Sequence, residues 1–158
     1  MKTSIAAGRL VIAAAVLAAA SGCFLPGDPV GPSIGIRVDD GVLSVYVPLC
    51  PGEKVLGATL DDPSGDGKQL WSAKGPAQPT SKVVRLGGAD WKQQTGSYMY
   101  DNQEVTMDID ATKRSYGGGV IEEPLLKDLP AGTYDLNGKR ATPADIEAQS
   151  NCDSQSGG

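Results

Sequence analysis

Between residues 34 and 49, apolar side chains recur at every second position, and that rhythm confines the chain to extended structure. Ile34, Ile36 and Val38 alternate with Gly35 and Arg37. Beyond Asp39-Asp40-Gly41, Leu43, Val45, Val47 and Leu49 face one way, and Ser44, Tyr46 and Pro48 the other. A period of two with one apolar face describes a strand half-buried against a second layer. The Asp-Gly pair between the runs tolerates the positive φ of a hairpin turn. Pro48, which has no N–H to give, marks a ladder end or a sheet edge.

The rest of the chain continues in short extended pieces. Lys54–Leu60, Gln69–Lys74 with Trp71, Lys82–Leu86 and Val105–Asp110 all read as strands, with Asp61–Gly67 and Gly75–Thr80 as loops between them. A short strand is expected near Tyr98, a flexible turn at Gly117-Gly118-Gly119, and a last strand at Thr133–Leu136 before the Asn137-Gly138 turn. Thr142-Pro143-Ala144-Asp145 then sets a capping threonine, a proline in first helical position and an acid in the third, which starts a short helix. Many short strands with Gly/Pro turns and almost no helix predict an all-β fold. The expected architecture is an immunoglobulin-like or related Greek-key β-sandwich with a short C-terminal helix.

The front of the chain follows a different logic. Lys2 and Arg9 precede an unbroken apolar run, Leu10–Ala20, followed by the small residues Ser21 and Gly22. That order reads as a secretory signal. The run is shorter than the roughly 20 residues a membrane-spanning helix needs. The tetrapeptide Ala20-Ser21-Gly22-Cys23 resembles a bacterial lipobox, departing from the commonest pattern only at Ala20, where leucine is usual. The resemblance implies diacylglyceryl attachment to Cys23 and cleavage before it. With its many Ala and Gly residues, the whole resembles small surface lipoproteins of actinobacterial type. The expected organisation is a signal peptide over 1–22, a lipidated cysteine and flexible tether over 23–33, a sandwich over 34–152 and a disordered tail over 153–158. Prolines 26, 29 and 32 keep the tether out of helix and ladder alike.

Of the three cysteines, acylation of Cys23 leaves Cys50 and Cys152. Export places them where disulfides persist, and an even pair suits a bridge; two free thiols are the alternative. A bridge closing a loop of about 100 residues contributes up to roughly 4.7 kcal/mol in the chain-entropy model.

The formal net charge is −5 and falls further once Lys2 and Arg9 leave with the signal. An acidic surface repels phosphates, which argues against nucleic acid as a partner and predicts repulsion from an anionic leaflet as well. The expected address is the extracytoplasmic side of the cell membrane, with membrane lipid holding the chain through Cys23.

The chain has no histidine. That removes the commonest general base near neutral pH, Ser-His-Asp and Cys-His catalysis, and His-based zinc sites. Asp108 and Asp110 share one strand face, and Glu122 and Glu123 are adjacent; both sets read as solvated charge rather than as a catalytic pair. Asp61, Asp62 and Asp66 crowd a glycine-rich loop suited to calcium, but their spacing is not that of an EF-hand. Neither a cofactor nor a metal is expected. Trp71 is assigned to the core. Trp91, Tyr98 and Tyr100 are the interaction candidates, since the Tyr98–Asn102 tract has residue types that make good contact surfaces. These residues suit a non-catalytic lipoprotein that binds a protein, peptide or envelope polymer. A structural or accessory subunit of an envelope complex and a carboxylate-based hydrolase are the alternatives.

Overall fold

The computed structural model describes residues 33–64, 67–101, 103–121 and 127–152. The expected signal segment, Cys23, the tether to Pro32, Asp66, Glu122, Glu123 and the 153–158 tail lie outside them.

The chain forms the expected β-sandwich, made of two five-stranded antiparallel sheets. β1 (Gly35–Asp39), β2 (Val42–Tyr46), β5 (Val83–Leu86), β9 (Tyr134–Leu136) and β10 (Lys139–Ala141) form one sheet, in the order β10-β9-β1-β2-β5. β3 (Val55–Asp61), β4 (Gln69–Pro76), β6 (Trp91–Gly96), β7 (Val105–Ala111) and β8 (Ser115–Ile121) form the other, in the order β6-β4-β3-β7-β8. In this second sheet β7 returns past β4 to lie beside β3, which is Greek-key ordering.

The alternating apolar positions meet between the sheets. Leu43, Val45, Leu60, Trp71, Met107 and Ile109 are buried in one cluster. The off-beat residue Tyr46 points to the opposite face of its sheet. There it joins Tyr134, Leu136, Ala141 and Ile146 in a smaller cluster, covered by helix α1 (Pro143–Glu147). The helix begins in a capping box: the Asp145 N–H donates to Thr142 Oγ1 at 3.3 Å, and the Thr142 N–H donates to Asp145 Oδ2 at 2.8 Å. A Cβ on Gly35 would lie 2.3 Å from Ile146 Cδ1, so the helix can settle on β1 only because Gly35 lacks one.

Three local expectations are corrected. The strand expected near Tyr98 lies earlier, at Trp91–Gly96, and the tract after it crosses the end of the sandwich. Gly117-Gly118-Gly119 is not a turn but part of edge strand β8. The register shifts between Met107 and Asp108, Gly117 sits at φ +98°, and a Cβ there would lie 2.3 Å from the Met107 carbonyl oxygen. A bulge at this crowded point needs glycine. Thr133–Leu136 is also not the last strand, because the chain reverses at Asn137-Gly138 and adds β10.

The free edge of β5 is closed by side chains. Val47 N–H bonds to Lys82 C=O, and with the β2–β5 register this turns the backbone groups of Val83 and Arg85 outward. Ser81 Oγ donates to Val83 C=O at 2.8 Å and accepts from Val83 N–H at 3.1 Å, while Trp91 Nε1 donates to Arg85 C=O at 2.8 Å.

Candidate functional site

The strand directions give the sandwich two distinct ends. β1 carries the chain from Gly35 to the Asp40-Gly41 turn, where both residues have positive φ, so the entry point and this turn lie at opposite ends. The far end also holds the loop after Asp61 and the tract from Ser97 to Glu104. The entry end holds the Cys50–Glu53 turn, the β7–β8 turn at Thr112-Lys113 and helix α1.

At the far end, Tyr100 N–H donates to Gly41 C=O at 2.8 Å, which pins the crossing tract to the β1–β2 turn. Tyr98 and Tyr100 lean against the core, partly buried. The Tyr98 hydroxyl is buried with no hydrogen-bond partner among the described residues. Burial pushes it up to about 12, helped by Asp101 and Tyr100. Met99, between the two tyrosines, is 66% exposed and packs its methyl group over Gly41. The tract thus presents a thioether on a base of anchored rings.

Trp91 does not join them. It is buried at the start of β6, its ring set edge-on to Trp71 at 5.6 Å between centroids. The indole N–H that caps Arg85 holds it there, and the sequence pattern of Gly87–Gln94, which reads as loop, hides this. Trp71 is in the core, as expected.

The acidic loop makes local bonds. Asp62 Oδ1 accepts from Ser64 N–H at 2.9 Å, and the Ser64 bonds hold the Asp62 carboxyl below its usual range. Asp61 ends β3, and Asp66 lies outside the described residues. Among the described residues no group of three His, Cys, Asp or Glu is placed to hold a metal. Asp108 and Asp110 lie on the outer face of β7, opposite the buried Met107 and Ile109. Burial first, then Asp110 and Asp61, pushes the Asp108 carboxyl up.

At the entry end, Cys50 and Cys152 form the expected disulfide, closing a sequence separation of 102 residues. Beside it stands a residue that sequence reasoning passed over. The Glu53 side chain is 0% exposed and pairs with Arg114 Nε at 3.1 Å. It also accepts from Cys50 N–H at 2.8 Å and from the hydroxyl of the buried Tyr116. Burial would raise its carboxyl, but these donors outweigh that and hold it low; burial and Glu53 together push the Tyr116 hydroxyl well up. Glu53 follows Pro51-Gly52, and a glutamate after such a turn reads as solvent-facing. A cleft lies alongside, bordered by Leu49, Cys50, Lys54, Thr80 and Lys82. Among the described residues no helix is long and apolar enough to cross a membrane.

No protein-family model, curated protein or solved structure matches the chain.

Proposed function

We propose that this chain is an exported lipoprotein, held at the outer face of the cell membrane by acylated Cys23. In this reading the sandwich is a non-catalytic binding domain whose contact surface is the Tyr98–Tyr100 tract, with a protein, peptide or envelope polymer as partner. One observation carries it: the Tyr100–Gly41 bond fixes the exposed Met99 at the end of the sandwich farthest from where an anchor at Cys23 would pull. Exposed methionine adapts to varied apolar partners, and rings already anchored by their own fold lose little freedom on binding. The Cys50–Cys152 bridge supports an oxidising compartment.

Two measurements test the reading. An alkynyl fatty acid fed to cells should label the wild-type protein and leave Cys23→Ser unlabelled and released; equal labelling contradicts the anchor. A photo-crosslinking residue at position 99 on intact cells should capture one species that the same group at position 56, on the exposed Leu56, does not. A protein or polymer adduct supports the binding reading. Identical patterns from both positions would remove the far-end tract from it.

A further inference from the structure

Net negative charge predicts that an anionic membrane repels this domain, but the fold sorts its charges along the strand axis. The far end carries the carboxylates Asp40, Asp61, Asp62, Asp101 and Glu104. At the entry end Glu53 is buried against Arg114, and Glu147 is tied to Lys82 at 2.6 Å. The exposed carboxylates at this end include Asp110, which accepts from Ser115 Oγ at 3.2 Å, and Asp145, which accepts from the Thr142 N–H at 2.8 Å. Lys54, Lys113 and Lys139 are exposed there too, and none of the three lysines makes a salt bridge among the described residues. Lys54 and Lys113 are brought together because Thr112 bonds the Lys54 backbone in both directions and Lys113 Nζ reaches Pro51 C=O at 3.4 Å. Lys139 joins them through the Asn137-Gly138 turn, which lies at the same end as Gly35.

We infer that this lysine-bearing end docks on anionic phospholipid headgroups, so that the domain stands with Cys50–Cys152 toward the bilayer and Met99 outward. The inference rests on the anchored reading. An anchor at Cys23 enters the fold at this same end, and Phe24–Ser33 spans at most about 35 Å even when fully extended. Headgroup fields act over about 8 Å at physiological ionic strength. The lysines on the entry end reach that layer when the domain settles, and the carboxylates a strand length away stay outside it. Opposite charges at the two ends therefore turn the domain, even though its total charge is repelled.

Lysine footprinting tests the orientation without relying on the cell to acylate the protein. Residues 23–158 are coupled through Cys23 to a maleimide phospholipid, the bridge leaving that as the one free thiol. The protein is placed on vesicles of phosphatidylcholine alone or with phosphatidylglycerol and treated with an uncharged acetylating reagent. Lys54, Lys113 and Lys139 should react several-fold more slowly on the anionic vesicles, Lys68 at the far end should not change, and high salt should remove the difference. Lys54→Glu/Lys113→Glu should abolish the protection of Lys139. Equal rates on both vesicle types, or protection of Lys68 instead, would overturn the docking. Because the anchor is supplied chemically, that failure would leave the lipoprotein reading to be judged by fatty-acid labelling alone.

Discussion

The hydroxyl of Tyr116 donates to the buried carboxylate of Glu53, joining the second residue of β8 to the turn that precedes β3. Arg114 closes the same knot, with one nitrogen on Glu53 and another 3.3 Å from Cys50 Sγ. The group ties the turn carrying the disulfide to the edge of the second sheet.

Removing the carboxylate leaves Arg114 and Tyr116 facing each other without an acceptor. Glu53→Ala is expected to lose about 3–5 kcal/mol, the range for breaking one side of a buried ion pair. Urea denaturation should show the midpoint falling with little change in slope. A loss below about 1 kcal/mol, the scale of an exposed pair, would contradict the burial described for Glu53.

The same carboxyl sets a pH dependence. Its value is held low, so its stabilisation is complete above the unfolded value of about 4.3 and is lost as pH falls through the lower folded value. Asp39, Asp62, Asp145 and Glu147 shift the same way, and Asp108 shifts the opposite way. Thermal melts should therefore lose stability below about pH 4.3. Glu53→Gln should be less stable at neutral pH and show a shallower acid slope. Parallel profiles for the two proteins would remove Glu53 as a source of the slope.

Loss of the bridge should destabilise the entry end on the same scale as loss of the Glu53 carboxylate. Replacing both Cys50 and Cys152 by alanine is expected to cost about 2–5 kcal/mol. A non-reducing peptide map of the exported protein should show the two cysteines in one linked species that reductant separates; free thiols at both positions would refute the bridge.

Gly35→Ala drives a methyl group into Ile146 Cδ1 and toward Tyr134 Cβ, 2.7 Å away. The expected loss is about 1–3 kcal/mol, as for other overpacked sites. Ile146→Ala alone should cost about 2–5 kcal/mol through the cavity it leaves. If α1 is seated on Gly35, the double variant will lose clearly less than the two losses added, and denaturant titration of all four proteins decides this.

Ser81→Ala should expose the edge of β5. The Val83 N–H and C=O lose their side-chain partner beside a 43% exposed Val83. Stability should fall by only about 0.5–1.5 kcal/mol. The larger effect is expected in sedimentation, as concentration-dependent association through the opened strand. A strictly monomeric variant would show that the serine is not what protects this edge.

Much of the sandwich is legible in the sequence because local rules fix it. Period-two runs give β1, β2 and β7, the Asp40-Gly41 and Asn137-Gly138 pairs give two hairpins, and Thr142-Pro143-Ala144-Asp145 gives α1. The candidate site was legible only in part. Tyr98 and Tyr100 stand out by residue type, but Trp91 belongs to the core. β6 was hard to find because Lys92-Gln93-Gln94-Thr95, exposed on an edge strand, shows no apolar rhythm. The glycines of β8 look like a turn until the bulge against β7 is seen.

By itself the sequence determined which side chains must share a face and where the chain reverses. A repeat of two says which way a side chain points but not which strand lies beside it. The burial of Glu53 was therefore decided only when residues about sixty positions apart were brought together, and sheet order and the indole that covers Arg85 likewise only in the folded chain. The charges show the same division. The sequence fixes their sum, and only the folded chain fixes where each one stands, which is why a domain that is acidic overall can still present lysines at one end.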